Sequence, residues 1–216
     1  MDTQRFRRTA ITIIAACLLL FPLGLAAQAT LTVSAEPGKS YSVTRTAFLN
    51  TIKVNPHLAV WLETADGVFV KTIYVSLKNG QQDFWVGKRP HPLPVWASRG
   101  EKLPLPDAVT GASTLPSLPA KLEWKSGLPA SGSPFVVRLE VNRAFDFNAG
   151  WPVLPQEVWG QPSLLYEAAV PSGGQVAVLE LKGRADGQGG QWLPDLGGID
   201  SARDILARTT IRSVSK

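Results

Sequence analysis

The chain is poor in the residues that build metal and redox centres. Its 216 residues include one cysteine, Cys17, and two histidines, His57 and His91. One cysteine permits no internal disulfide and no cysteine-based zinc site, and two histidines permit no His-rich metal centre. Charge is scarce as well: Asp, Glu, Lys and Arg make up 18%, against about 25% in an average soluble domain. The Gly and Pro counts, 19 and 17, are high but follow no period. Collagen, coiled coil and long-range disorder are thereby excluded. What is present in quantity is apolar surface, 44% of residues, with seven tryptophans. Length and composition together describe one loop-rich globular domain, or one domain with an extension.

The first residues read as an export signal. Arg5, Arg7 and Arg8 form a positive region, Ala10 to Leu25 carry no charge, and Ala27-Gln28-Ala29 has the small-x-small spacing of a cleavage site. Pro22 and Gly24 interrupt the apolar run, which suits a cleaved signal better than an anchor. Ile14-Ala15-Ala16-Cys17 resembles a lipoprotein box, but the apolar run continues past Cys17 to Leu25, so the cysteine reads as part of the signal. Arg7-Arg8 follows Phe6 rather than Ser or Thr, which favours the general secretory route over a twin-arginine one. Cleavage after Ala29 takes Arg5, Arg7, Arg8 and Asp2 from the 22 basic and 17 acidic residues, leaving 19 against 16. No Lys/Arg run survives in the remainder, so there is no electrostatic case for nucleic acid. The expected location is the periplasm, where a mature chain without cysteine carries no thiol liability.

Beyond Ala29 short β-like runs recur between turn signals. Thr30–Glu36, Leu58–Glu63, Val68–Val75, Ala120–Lys125, Ser133–Val141, Val176–Leu181 and Ile205–Val214 all have strand length, and Pro92–Ala97 reads as a weaker edge strand. Ala65-Asp66-Gly67 between two β-branched or aromatic runs predicts a hairpin. Alternation places Val60, Leu62, Val68, Val70, Leu122, Trp124, Val137 and Leu139 in the core. Helix signals are few: a turn or more over Arg45–Val54, and Ser201–Leu206 with Asp200 as N-cap. The pattern predicts an all-β, immunoglobulin/fibronectin-like β-sandwich over residues 30–144. Residues 145–216 read as a loop-rich C-terminal excursion with closing strands, packed on the same domain.

The order of Leu58–Val70 (LAVWLETADGVFV), the tryptophans Trp85 and Trp96, Asp107–Ser113 (DAVTGAS), Leu122-Glu123-Trp124 and Val136–Val141 resembles a bacterial periplasmic family catalogued as domain of unknown function 2271. The likeness spans residues 55–143, with a looser match around Asp195–Ala202. Within it, Asp107-Ala108-Val109-Thr110-Gly111-Ala112-Ser113 is similar to the acceptor motif of the periplasmic flavin transferase, Asp-x-x-Ser/Thr-Gly-Ala-Ser/Thr. That resemblance implies FMN joined through its phosphate to the last hydroxyl, here Ser113. The motif more often ends in Thr, and Ser offers the same nucleophilic oxygen. Small residues at Gly111 and Ala112 let a diphosphate approach the backbone. Prolines 104, 106, 116 and 119 bound the segment and predict a non-helical, exposed loop. The same residues also read as a simple turn, with Asp107 opening an Asx-turn and Thr110-Gly111 completing it.

Other candidates carry less. Trp96 stands nearest the motif among the strand-region tryptophans and could stack on an isoalloxazine ring. His57 and His91 each adjoin a proline and read as solvated loop residues. Asp186-Gly187-Gln188-Gly189-Gly190, with Asp195 and Asp200, lacks EF-hand spacing and reads as a polar turn. Lys88-Arg89 could neutralise a phosphate but is more often a solvated pair. There is no Gly-x-Ser-x-Gly elbow. The sequence therefore describes an exported protein carrying covalent FMN for extracytosolic electron transfer, without a catalytic residue set of its own. Its partners would be a flavin transferase and a membrane redox protein. The alternative is a flavin-free β-sandwich binding or accessory module for a membrane partner.

Overall fold

A computed structural model describes residues 29–47, 50–76, 91–99, 121–129, 134–154, 159–186 and 190–215. Two antiparallel sheets face each other across one core. The strands are β1 (Thr30–Pro37), β2 (Val43–Ala47), β3 (Asn50–Val54), β4 (His57–Thr64), β5 (Phe69–Val75), β6 (Leu122–Gly127), β7 (Phe135–Asn142), β8 (Leu164–Ala169), β9 (Val176–Val178), β10 (Glu180–Ala185), β11 (Trp192–Leu193) and β12 (Leu206–Val214). One sheet runs β6-β1-β12-β9 and the other β11-β10-β8-β7-β4-β5, while β2 and β3 form a separate hairpin. β1 and β12 pair along their whole length, from Thr30 opposite Val214 to Pro37 opposite Leu206. The all-β sandwich expected from the short alternating runs is the fold observed, and it is not a closed barrel.

The larger sheet is covered on both faces, and its sequence shows why. In β4, Leu58, Val60 and Leu62 enter the inter-sheet core with Val137, Leu139, Val141, Leu164 and Tyr166. Ala59 and Trp61 point the other way, into a second cluster with Val75, Leu165, Leu93, Val95 and Trp96. Burial on both sides removes the usual apolar/polar alternation, hence the continuous run Leu58–Leu62. The cover on the outer face is a short helix, α1 (Pro94–Ser98).

Four local expectations are corrected. Pro92–Ala97 does not form an edge strand; Pro94 sits in the first turn of α1, where its missing N–H costs nothing. Arg45–Ala47 and Asn50–Val54 are not helical but lie in the paired strands β2 and β3, with Val43 opposite Val54 and Thr46 opposite Thr51. Their β-branched residues favour the extended form. Val176–Leu181 is not one strand: Leu179 is buried, its N–H bonds Thr209 O at 2.9 Å, and the chain passes there from the smaller sheet to the larger. Val68 is not core. It is 58% exposed in the hairpin loop, its N–H bonded to Thr64 Oγ1 at 3.1 Å. The loop turns at Gly67, whose φ of 86° suits glycine. Register shifts beside Trp61 and Glu63 then put both Ile73 and Tyr74 into the core.

Residues 164–214 supply strands to both sheets, with β8 between β7 and β10 and β12 between β1 and β9. The preceding loop is anchored by the buried ion pair of Arg143 with Asp146. Asp146 Oδ1 also accepts Ser201 Oγ at 2.6 Å, and Gln161 Nε2 reaches Asp200 Oδ1 at 2.7 Å and Ser201 Oγ at 2.8 Å. Asp200 caps the 3-10 turn Ser201–Asp204 from its side chain, as its sequence position predicts.

Candidate functional site

Two buried carboxylates stand on the outer face of the larger sheet. Glu140 follows from the alternation of β7, which sends Phe135, Val137, Leu139 and Val141 inward and leaves Arg138 and Glu140 outward. Because α1 roofs that face, Glu140 is 0% exposed. Its carboxylate accepts Val95 N–H at 3.3 Å, Trp96 N–H at 2.8 Å and Ser163 Oγ–H at 2.5 Å. It therefore does for α1 what an N-cap side chain would do, since Leu93 offers none. Burial pushes the Glu140 carboxyl up to about 7, against the opposing pull of these three donors and of Arg99. Glu63 on β4 is equally buried. It takes Trp61 Nε1–H at 2.8 Å and Arg138 Nε–H at 2.5 Å. Arg99 Nε lies 3.2 Å away, near enough for charge pairing but not aligned as a hydrogen bond. Arg138 also meets Glu167 at 2.5 Å.

Beside this network a cavity of about 170 Å³ opens between the ends of β7 and β10, Trp151 and the stretch Trp159–Ser163. Pro94, Pro162 and the two indoles supply its flat walls; Ser163, bonded to Glu140, and Arg184 supply polar ones. Gly160 on its rim has φ 73°, and a Cβ there would lie 2.5 Å from the Asp146 carbonyl, so the close approach requires glycine. Trp159 stands edge-on to His57 at 5.1 Å, and the Arg184 guanidinium sits 5.8 Å over the Trp151 ring.

The residues singled out from sequence fare differently. Asp107, Thr110, Gly111, Ala112 and Ser113 lie outside the described residues, as do Trp85, Lys88 and Arg89 and residues 1–28, which include most of the stretch read as an export signal. Trp96 is placed in α1, 5% exposed, with Nε1–H on Thr72 Oγ1 at 2.9 Å and His91 tilted against it at 5.9 Å. Packing and hydrogen bonding fully account for that side chain. His57 opens β4 rather than lying in a loop, and His91, half-buried in the loop before α1, accepts Leu93 N–H on Nδ1 at 3.0 Å. Asp195 pairs with Arg184 at 3.1 Å, and the Gly197 N–H and Arg184 hold its carboxyl below the usual range. Among the described residues no group of three His, Cys, Asp or Glu side chains is arranged to hold a metal. Among them too, no helix is long and apolar enough to cross a membrane.

Sequence reasoning missed Glu63 and Glu140. The available signal was the unbroken apolar run of β4, which means a covered outer face on which a carboxylate beneath the cover is buried. No family model matches the chain, and no curated protein or solved structure matches it.

Proposed function

We propose that this is an exported redox-associated protein that carries FMN covalently on Ser113 and serves extracytosolic electron transfer. The observation that carries the reading is the segment Asp107-Ala108-Val109-Thr110-Gly111-Ala112-Ser113, in a chain whose first residues read as an export signal. In the attachment step the Ser113 hydroxyl oxygen bonds to the FMN phosphorus of a flavin dinucleotide. The hydroxyl proton leaves, and the diphosphate bond of the donor breaks with release of the nucleoside monophosphate.

The flanks of the segment support a tether. Upstream, α1 is fixed by Glu140, and Arg99 is paired with Glu63. Downstream, β6 is hydrogen-bonded to β1 from Leu122 to Gly127. Ser113 stands 14 residues after Arg99 and nine before Leu122, so a group attached there stays within that length of chain from both anchors. The cavity beside β10 does not fit FMN: about 170 Å³ is well below the roughly 300–1,000 Å³ of pockets that enclose molecules of that size. Retention by a phosphoester bond meets that difficulty. In this reading the protein supplies position and environment, and a flavin transferase and a membrane redox protein are its partners. Co-production with a competent flavin transferase tests it: the protein should turn yellow and gain the mass of one FMN less one water. An unmodified product would leave the flavin-free binding module as the reading.

A further inference from the structure

We propose that the Ala29–Thr30 bond can be cut only before β12 pairs with β1, so that the chain is transported unfolded and sheds its signal before its last strand docks. The proposal rests on reading residues 1–29 as an export signal and is independent of Ser113. The spacing carries it. Cleavage after Ala29 leaves no linker, because Thr30 is already the first residue of β1. Thr30 stands opposite Gly127 on β6 and Val214 on β12. Ala29 is engaged too: its carbonyl accepts Leu128 N–H at 2.8 Å. The next residue, Leu31, is fully buried in the inter-sheet core. A protease reads its substrate as an extended strand, through main-chain hydrogen bonds. The main-chain groups of Thr30 to Thr32 cannot serve two neighbouring strands and an enzyme at once. Chain ends are often easy to cut because they are loosely held, but burial and hydrogen bonding decide the matter. Here entry to the enzyme means unpairing these residues and withdrawing Leu31. Exposing Leu31 alone lowers the open population about 10–100-fold.

The topology sets the timing. The smaller sheet runs β6-β1-β12-β9, and β12 is the last strand in chain order. While a chain emerges N-terminus first, β12 is still to come, and β1 is an edge strand held by β6 alone. Pairing between segments so distant in sequence forms late. The bond therefore stays open during transport and closes when Leu206–Val214 docks along β1. A route that carries folded proteins would deliver the bond already paired, which bears against Arg7-Arg8 as a twin-arginine signal. The reaction is hydrolysis: water gives its hydroxyl to the Ala29 carbonyl carbon and its proton to the Thr30 nitrogen, and the peptide bond between them breaks. Leu128 N–H then loses the Ala29 oxygen, so this hydrogen bond belongs to the precursor alone.

The test uses the full-length precursor in detergent with a signal peptidase, read by the mass of the product that begins at Thr30. Precursor diluted from urea directly into the enzyme should be cut at least about tenfold faster than precursor refolded first. Two variants locate the block. Inserting about six Gly/Ser residues after Ala29, a reach of about 20 Å, should let the refolded precursor be cut as fast as the unfolded one. Ile211→Asp, which places a charge at a buried position of β12, should stay cleavable after the same refolding interval. Equal rates for unfolded and refolded wild type overturn the proposal. So does an insertion variant that resists once refolded, or an Ile211→Asp variant that becomes resistant. A precursor left uncut at Ala29 even from urea refutes the export-signal reading itself, and the proposal with it.

Discussion

Replacing Glu140 tests whether one carboxylate holds α1 on the outer face of the larger sheet. The side chain is fully buried, and burial pushes its carboxyl up to about 7 from the usual 4.5. The unfolded chain thus loses this proton near pH 4.5, while the folded chain keeps it to about pH 7. Folding takes up a proton between those values, so the contribution is complete below pH 4.5 and is lost as pH rises to about 7. At about 1.4 kcal/mol per unit the loss is about 3 kcal/mol. Glu140→Gln keeps the shape and one acceptor oxygen but cannot ionise, so its stability should be flat across that window. Glu140→Ala leaves Val95 N–H, Trp96 N–H and Ser163 Oγ without their acceptor. At pH 5 that should cost about 3 kcal/mol, or about 6–12 °C in the melting temperature of a protein this size. Urea melts of the three proteins at half-unit pH steps give both readings. A Gln variant with the wild-type pH slope, or an Ala variant that melts with the wild type at pH 5, would refute the reasoning.

The remaining predictions separate packing from backbone effects. Leu139→Ala, at a fully buried position, should destabilise by about 2–5 kcal/mol in urea melts, whereas Val68→Ser on the hairpin loop should stay within about 0.5 kcal/mol. Gly160→Ala and Gly67→Ala share a positive φ but not their surroundings. The first drives a Cβ into the Asp146 carbonyl and the second meets open space. Gly67→Ala should cost about 1 kcal/mol and Gly160→Ala clearly more, by thermal melts. Arg138→Met removes one hydrogen bond to the buried Glu63 carboxylate and leaves it Trp61 Nε1–H and the charge of Arg99, and should cost about 1.5–3 kcal/mol in the same assay.

What the sequence made legible was local. The alternation in Phe135–Val141 and the turn at Asp66-Gly67 are written in neighbouring residues, and both elements stand where they were expected. What was illegible depended on distant partners. The segment Pro92–Ala97 becomes helical because the carboxylate that receives its first N–H groups comes from β7, more than forty positions away in the chain. Strand β8 sits in a stretch that reads as a loop-rich excursion, yet Leu164 and Tyr166 complete the core that β7 begins. The cavity drew on Asn142, Trp151, Gln161 and Arg184, which no spacing rule connects. The acceptor-like segment is the reverse case: its seven residues are legible as a motif, and their setting lies outside the described residues.

Attachment of flavin at Ser113 is the central claim, and peptide mapping after co-production with a flavin transferase tests it most directly. The wild-type peptide containing Asp107–Ser113 should carry one FMN less one water. Ser113→Thr should retain the adduct, because the hydroxyl remains. Ser113→Ala should lose it while melting at the wild-type temperature. Asp107→Ala and Gly111→Val should lower its yield without removing the nucleophile. A wild-type peptide recovered unmodified beside a transferase that modifies its own known acceptor would contradict the account.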